Sequence, residues 1–192
     1  MVDGVNVPKN IVLIGFMGCG KSTVGRELQQ RLGYPLVDMD ALIEQRSGKA
    51  IATLFSELGE PAFRDMETQL LEELCAPDAP RRIISTGGGV IVRPHNRALL
   101  RQLGYVVWLQ APVGTILDRT SRNRDRPLLL TDDPKAAITA LLDERTPWYR
   151  EAAHLALETR GLDSGEIATG ILESARYFFT RNPRGRNPQP DI

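Results

Sequence analysis

Residues Gly15-Phe16-Met17-Gly18-Cys19-Gly20-Lys21-Ser22 spell the pattern G-x-x-x-x-G-K-S, and nothing else in the chain narrows its fold as far. Before the pattern, Ile11-Val12-Leu13-Ile14 is an unbroken aliphatic run, as expected of a strand covered on both faces of a parallel sheet. After it, residues 24–32 have helical composition and spacing. In that strand–turn–helix context, glycines at 15, 18 and 20 let several backbone N–H groups approach phosphate oxygens closely. A helix opening at Lys21 adds the positive end of its dipole. Lys21 would reach the β- and γ-phosphates of a nucleotide and the Ser22 hydroxyl would ligate Mg²⁺. Cys19 reads as a small filler of the loop, not as a nucleophile.

The remaining chain alternates strand and helix patterns. Strands are expected at residues 36–40, 82–86, 105–109 and 154–157, and helices at 41–46, 51–58, 61–74, 94–104, 134–148 and 164–179, with another beginning at Pro112. Gly59-Glu60-Pro61 separates two of these helices, and residues 77–80 form a turn cluster. Such alternation implies an α/β fold with a parallel sheet and helices on both faces, whose ligand sits beyond the carboxyl ends of the strands.

Composition excludes several classes of function. Lys plus Arg and Asp plus Glu balance at 24 each, so no overall field draws the chain to nucleic acid or to an anionic membrane, and any anion site is local. Cys19 and Cys75 lack metal-ligand spacing and suit a reducing, cytoplasmic setting. Residues 1–10 are polar, and no apolar run reaches membrane-spanning length.

Four groups of residues are candidates for chemistry. Asp38 and Asp40 are the only acids that close an apolar strand, since Arg82-Ile83-Ile84-Ser85-Thr86 ends in glycines. In an extended segment they would point the same way, one to orient Mg²⁺ through water and the other to accept a hydrogen bond from a substrate hydroxyl; solvated turn carboxylates are the alternative. Gly87-Gly88-Gly89 either passes close to a ligand or forms a flexible hinge. Arg64 stands one turn before Glu67, which allows an intrahelical ion pair, and Arg145 could be a surface residue; either could instead supply the guanidinium fork that a small acid requires. The stretch from Arg119 to Arg126 carries four arginines and no apolar residue, as expected of a lid that anions recruit; a solvated loop or a nucleic-acid patch is the alternative, but no aromatics interleave the arginines. His95 and His154 read as surface and strand-edge residues.

Six motifs in this order resemble the shikimate kinase family, within the nucleoside-monophosphate-kinase-like group of P-loop proteins. They are G-x-M-G-x-G-K-S-T at Gly15 to Thr23, D-x-D at Asp38 to Asp40, Phe63-Arg64, Ser85-Thr86-Gly87-Gly88-Gly89, Arg126-Pro127-Leu128-Leu129, and Glu144-Arg145-x-Pro-x-Tyr ending at Tyr149. The likeness runs from about residue 10 to about 178. It implies a three-layer P-loop NTPase fold in one domain over 1–192, with a five-stranded parallel sheet of order 2-3-1-4-5. It also implies a substrate-binding segment near 38–75 and a mobile lid near 119–130; the tail at 181–192, outside the likeness, has the Pro, Asn and Gly content expected of a disordered end. The implied activity is transfer of the ATP γ-phosphoryl group to the 3-hydroxyl of shikimate by a cytoplasmic monomer using Mg²⁺, with no membrane or nucleic-acid partner. Gly18, Cys19, Gly20, Lys21, Ser22 and Thr23 would hold the phosphates, Ser22 and Asp38 the metal, and Asp40 the shikimate hydroxyls. Arg64, Arg145 and the glycines Gly87, Gly88 and Gly89 would hold the rest of the acceptor; Arg126 would meet the phosphates and Arg119 would lie over adenine. The loop Thr159-Arg160-Gly161-Leu162-Asp163 departs from the family pattern, with Arg160 offset from the position that would reach adenine. A kinase for another small acid or polyol, such as gluconate, is the nearest alternative, whereas a regulatory GTPase would need an N-K-x-D motif that this sequence lacks.

Overall fold

The computed structural model describes residues 10–76, 80–121 and 131–181. Strand β1 (Asn10–Ile14) pairs in parallel with β3 (Arg82–Ser85) on one side and β4 (Tyr105–Gln110) on the other. Strands β2 (Leu36–Asp38) and β5 (Leu155–Glu158) add to the two edges, giving the order β2-β3-β1-β4-β5. The expected five-stranded parallel sheet is therefore the one observed.

The aliphatic run of β1 serves two faces. Side chains alternate along an extended strand, so Val12 and Ile14 enter one apolar cluster while Ile11 and Leu13 enter another. The first cluster packs against α3 (Ile51–Leu74), α4 (Pro94–Leu103) and α6 (Pro134–Ala152) through Leu54, Leu71, Leu100 and Tyr149. The second packs against α1 (Lys21–Leu32) and α7 (Ser164–Arg181) through Val24, Leu28, Ala168 and Ile171. Phe16 joins Ile116 of α5 (Val113–Thr120) and Ile138 of α6 in a smaller cluster beneath the loop after β1.

The structure departs from the sequence reading at several joints. β2 stops at Asp38, whose Oδ1 accepts the Ala41 N–H at 3.3 Å, so helix α2 (Met39–Ser47) starts at Met39 and takes in Asp40. The two helices expected at 51–58 and 61–74 join end to end as α3, kinked at Gly59 (φ 79°, ψ 166°) just before Pro61. Pro112 caps α5 instead of opening it, α6 continues through Pro147 to Ala152, and a short 3₁₀ turn, Val90–Val92, follows the three glycines. The lid residues Arg122, Arg124 and Arg126, the following Pro127-Leu128-Leu129, most of the turn cluster at 77–80 and the tail from 182 lie outside the described residues.

Asn10, 2% exposed, stitches three elements. Its Nδ2 donates to the Leu103 carbonyl at the end of α4 (2.7 Å), and its Oδ1 accepts the Arg82 N–H at the start of β3 (2.9 Å). Replacing Asn10 with Ala leaves two backbone groups without partners and should destabilise the fold by about 2–3 kcal/mol, read as a lower urea midpoint with an unchanged slope.

Candidate active site

Parallel strands deliver their carboxyl ends to one rim, and there the chain surrounds a cleft of about 450 Å³. The loop after β1 forms its floor. Gly15 has φ 138°, and a side-chain carbon there would collide with the Leu109 carbonyl of β4, so only glycine lets the loop leave the sheet at this point. Lys21, the first residue of α1 and 8% exposed, donates from Nζ to the carbonyls of Gly15 (2.8 Å) and Phe16 (3.0 Å). The ammonium is thus anchored across the loop, with its charge beside the N-terminus of α1. Cys19 is buried with its Sγ 3.8 Å from that nitrogen, consistent with the packing role expected of it.

At the next position Ser22 Oγ donates to Asp38 Oδ2 at 3.0 Å, which sets a hydroxyl beside a carboxylate at the mouth of the loop. Asp40 also lines the cleft. The route to this convergence differs from the expected one. Asp38 and Asp40 do not share an extended strand; the first caps α2 and the second lies in its first turn.

The glycines after β3 make room for protein groups. A Cβ at Gly87 would lie 2.6 Å from Glu67 Oε1 and 2.7 Å from Asp40 Oδ1, so these two carboxylates face each other across its bare backbone. One at Gly88 would stand 3.1 Å from the Met17 nitrogen, and one at Gly89 would overlap the Arg64 guanidinium. Tyr149, stacked on Trp108, donates its hydroxyl to the Gly88 carbonyl at 2.5 Å, tying this turn to α6. Burial pushes the Tyr149 pKa upward, which keeps that hydroxyl a donor.

For Arg64 the structure bears out the ion-pair reading. It forms the ion pair with Glu67 (Nη1 to Oε2, 2.6 Å), and its Nε and Nη2 reach Glu60 Oε1 at 3.1 and 2.7 Å, yet it lies buried against Gly89 and not on a solvated helix face. Arg145 is not a surface residue either. It is 4% exposed above the Phe16 ring, and among the described residues its Nε and Nη1 have no hydrogen-bond partner. Leaving guanidinium N–H groups buried and unmatched costs free energy that a bound anion would recover.

Glu67, legible in the sequence only as a partner for Arg64, also stands against Gly87 near Asp40. It is 1% exposed, and burial pushes its carboxyl up to about 7 against the opposing pull of Arg64, with Asp40 raising it further and Arg145 lowering it. Arg119 lines the cleft, and its Nη1 donates to the Gly18 carbonyl at 2.9 Å. Arg160 is 72% exposed near Glu158 and does not line the cleft. That loop contributes Thr159 and Leu162 to the cleft instead, two residues with no motif to announce them. His95 is exposed beside Glu72, and the His154 ring accepts the Val106 N–H near the β5 edge, as expected of surface and strand-edge residues.

A family model described as shikimate kinase matches residues 17–176. A shikimate kinase of Thioalkalivibrio sulfidiphilus is 46% identical over 182 residues, covering 95% of this chain and 93% of that protein. A solved structure, the shikimate kinase from Acinetobacter baumannii in complex with shikimate, is 39% identical, covers 94% of this chain and 97% of its own, and superposes with a TM-score of 0.84. A gluconokinase structure from Sinorhizobium meliloti, 15% identical with a TM-score of 0.56 over 93% of this chain and 97% of its own, shares the fold.

A carboxyl that holds its proton more tightly when folded stabilises the protein fully below the unfolded value of 4.5, and loses that contribution as pH rises to about 7. Against a Glu67→Gln variant, which cannot titrate, the native chain should lose on the order of 2–3 kcal/mol of relative stability between those pH values. Urea unfolding at intervals across the window measures it; a difference that stays flat would remove the buried proton from the account.

Proposed function

This chain belongs to the shikimate kinase family, and on that footing we propose how its residues move the γ-phosphoryl group of ATP to the 3-hydroxyl of shikimate, giving shikimate 3-phosphate and ADP. The observation that carries the assignment is that two buried guanidinium groups, Arg64 and Arg145, the second with Nε and Nη1 unmatched, both bear on Glu67, which meets Asp40 at Gly87, while Asp40 lines the cleft with Lys21. A small ligand with an acid at one end and hydroxyls at the other suits that set. Arg64 and Arg145 take the carboxylate in a fork that lysines could not reproduce, and the backbone of Gly88 and Gly89 lies along the ring. Asp40 accepts from the hydroxyls and aligns the one that attacks. The fold likeness to a gluconokinase extends no further than the fold, and the buried Arg145 favours an acceptor whose acid is held in place.

On the nucleotide side, the N–H groups from Gly18 to Thr23 take the phosphates, Lys21 exchanges its loop carbonyls for phosphate oxygens, and Arg119 flanks the base. Arg126, outside the described residues, is assigned from the family resemblance to the transferring phosphoryl group. The adjacent oxygens of Ser22 and Asp38 suit Mg²⁺, a hard cation that commonly takes one or two protein oxygens with phosphate and water. Bound there, the ion would neutralise charge on the β- and γ-phosphates. Positioning and charge neutralisation are the main work a protein does in phosphoryl transfer, so a preset Lys21 and a held hydroxyl account for the catalysis.

Among the described residues no helix is long and apolar enough to cross a membrane. With two free cysteines and a balanced charge, we assign the enzyme to the cytoplasm, as a monomer in keeping with the family resemblance.

ADP release from Mg-ATP should depend on shikimate and not on gluconate. Lys21→Ala should lower kcat about 10²–10³-fold while the urea midpoint holds, and a near-normal rate in that variant would defeat the mechanism. Arg64→Lys should raise the KM for shikimate about tenfold with a smaller change in kcat, because an ammonium cannot fork; an unchanged KM takes Arg64 out of the clamp.

A further inference from the structure

The two arginines of the clamp are in unequal states. Arg145 keeps Nε and Nη1 unmatched, whereas Arg64 is flanked by carboxylates on both sides. Glu67 accepts from Nη1, and a single oxygen of Glu60 accepts from both Nε and Nη2. The Nε/Nη2 edge is one of the two edges of a guanidinium that can take a carboxylate at two points. A ligand acid that engages it would gather three carboxylates around one cation.

One of the three must yield, and burial and backbone select which. Glu67 is 1% exposed and packed inside α3, so its charge has no water to enter. The Glu60 side chain is 43% exposed, so solvent can take it up at little cost. Glu60 also stands at the break in α3: Gly59 before it is non-helical at φ 79°, and Pro61 after it has no N–H to place in the helical ladder. A rotation at residue 60 therefore sacrifices few backbone hydrogen bonds, whereas the same movement elsewhere in the helix would break several.

We propose that Glu60 is a resident competitor for the substrate's carboxylate at Arg64, released to solvent at the Gly59 kink when the acid end of the acceptor arrives. In the empty site Glu60 holds the guanidinium oriented and neutralised. An acceptor without a carboxylate makes no claim on that edge and leaves Glu60 in place. Glu60 is thus a positioning residue that tempers the affinity for the acid end alone, and it acts by charge. The inference rests on the shikimate kinase reading above and deepens it.

The test compares Glu60→Gln and Glu60→Ala with the native enzyme, using shikimate and its uncharged methyl ester as acceptors. Removing an exposed competitor should lower the KM for shikimate about threefold in both variants and leave kcat and the KM for ATP in place. The KM for the methyl ester should not move. Direct titration of shikimate into the nucleotide-free protein should show the same threefold tightening. A KM for shikimate that rises or stays level would make Glu60 a bracket for Arg64 and overturn the proposal, and so would an equal fall for acid and ester. A native enzyme that released no ADP with shikimate would instead sink the functional reading itself, and this one with it.

Discussion

The hydrogen-bonded ladder that holds β1 between β3 and β4 is what everything else in this molecule leans on. Its register sets Leu13 level with Ser85 and Val107, and Ile14 level with Trp108, so the chain leaves each strand at nearly the same height. Thr86 extends the ladder by donating its N–H to the Leu13 carbonyl at 3.1 Å. Loops from segments far apart in sequence therefore emerge side by side, and the phosphate loop, Asp38, Gly88 and Thr159 reach one cleft without any long connection. Apolar burial on both faces of the sheet keeps the ladder rigid, so that small shifts at the rim are not absorbed by the core.

On this frame the protein holds an unusual concentration of buried charge. Lys21, Arg64, Glu67 and Arg145 are each less than a tenth exposed. Burying a charge is unfavourable unless partners replace its water, and the four are matched to different degrees. Lys21 has loop carbonyls, Arg64 has two acids, Glu67 is drawn toward its protonated form, and Arg145 retains unmatched N–H groups. The imbalance runs in one direction, toward an incoming anion. Substrate binding on this view completes a set of charges that folding left incomplete, and the kink at Gly59 supplies the local freedom to rearrange them.

How far the site could be read ahead of the structure varied with the range of the interactions involved. The geometry of the loop after β1 was legible because it is local: the glycines, Lys21 and Ser22 lie within one turn and the start of one helix. Asp38 and Asp40 both reach the cleft, but by another route than the pattern suggested, since the cap at Asp38 turns the chain into a helix where two more residues of strand were expected. The reason for Gly87 and Gly89 was out of reach, because the groups that press on them, Glu67, Asp40 and Arg64, come from two other helices. Thr159 and Leu162 carry no residue-type signal at all, and only the placement of β5 at the sheet edge brings their loop over the cleft.

Periodicity and punctuation were enough to determine the alternation of strands and helices and the face that each strand presents to the core. They were enough, too, for the course of the first loop from strand to helix, because backbone sterics and side-chain alternation act over a few residues and leave their mark in order along the chain. Which charges share a pocket, which guanidinium is matched and which is not, and which carboxylate is sealed from water were decided by packing alone. Burial and pairing are properties of groups that meet across the fold, and Arg64 and Arg145, eighty-one positions apart in sequence, have no knowledge of a common site until the sheet sets α3 and α6 on the same face.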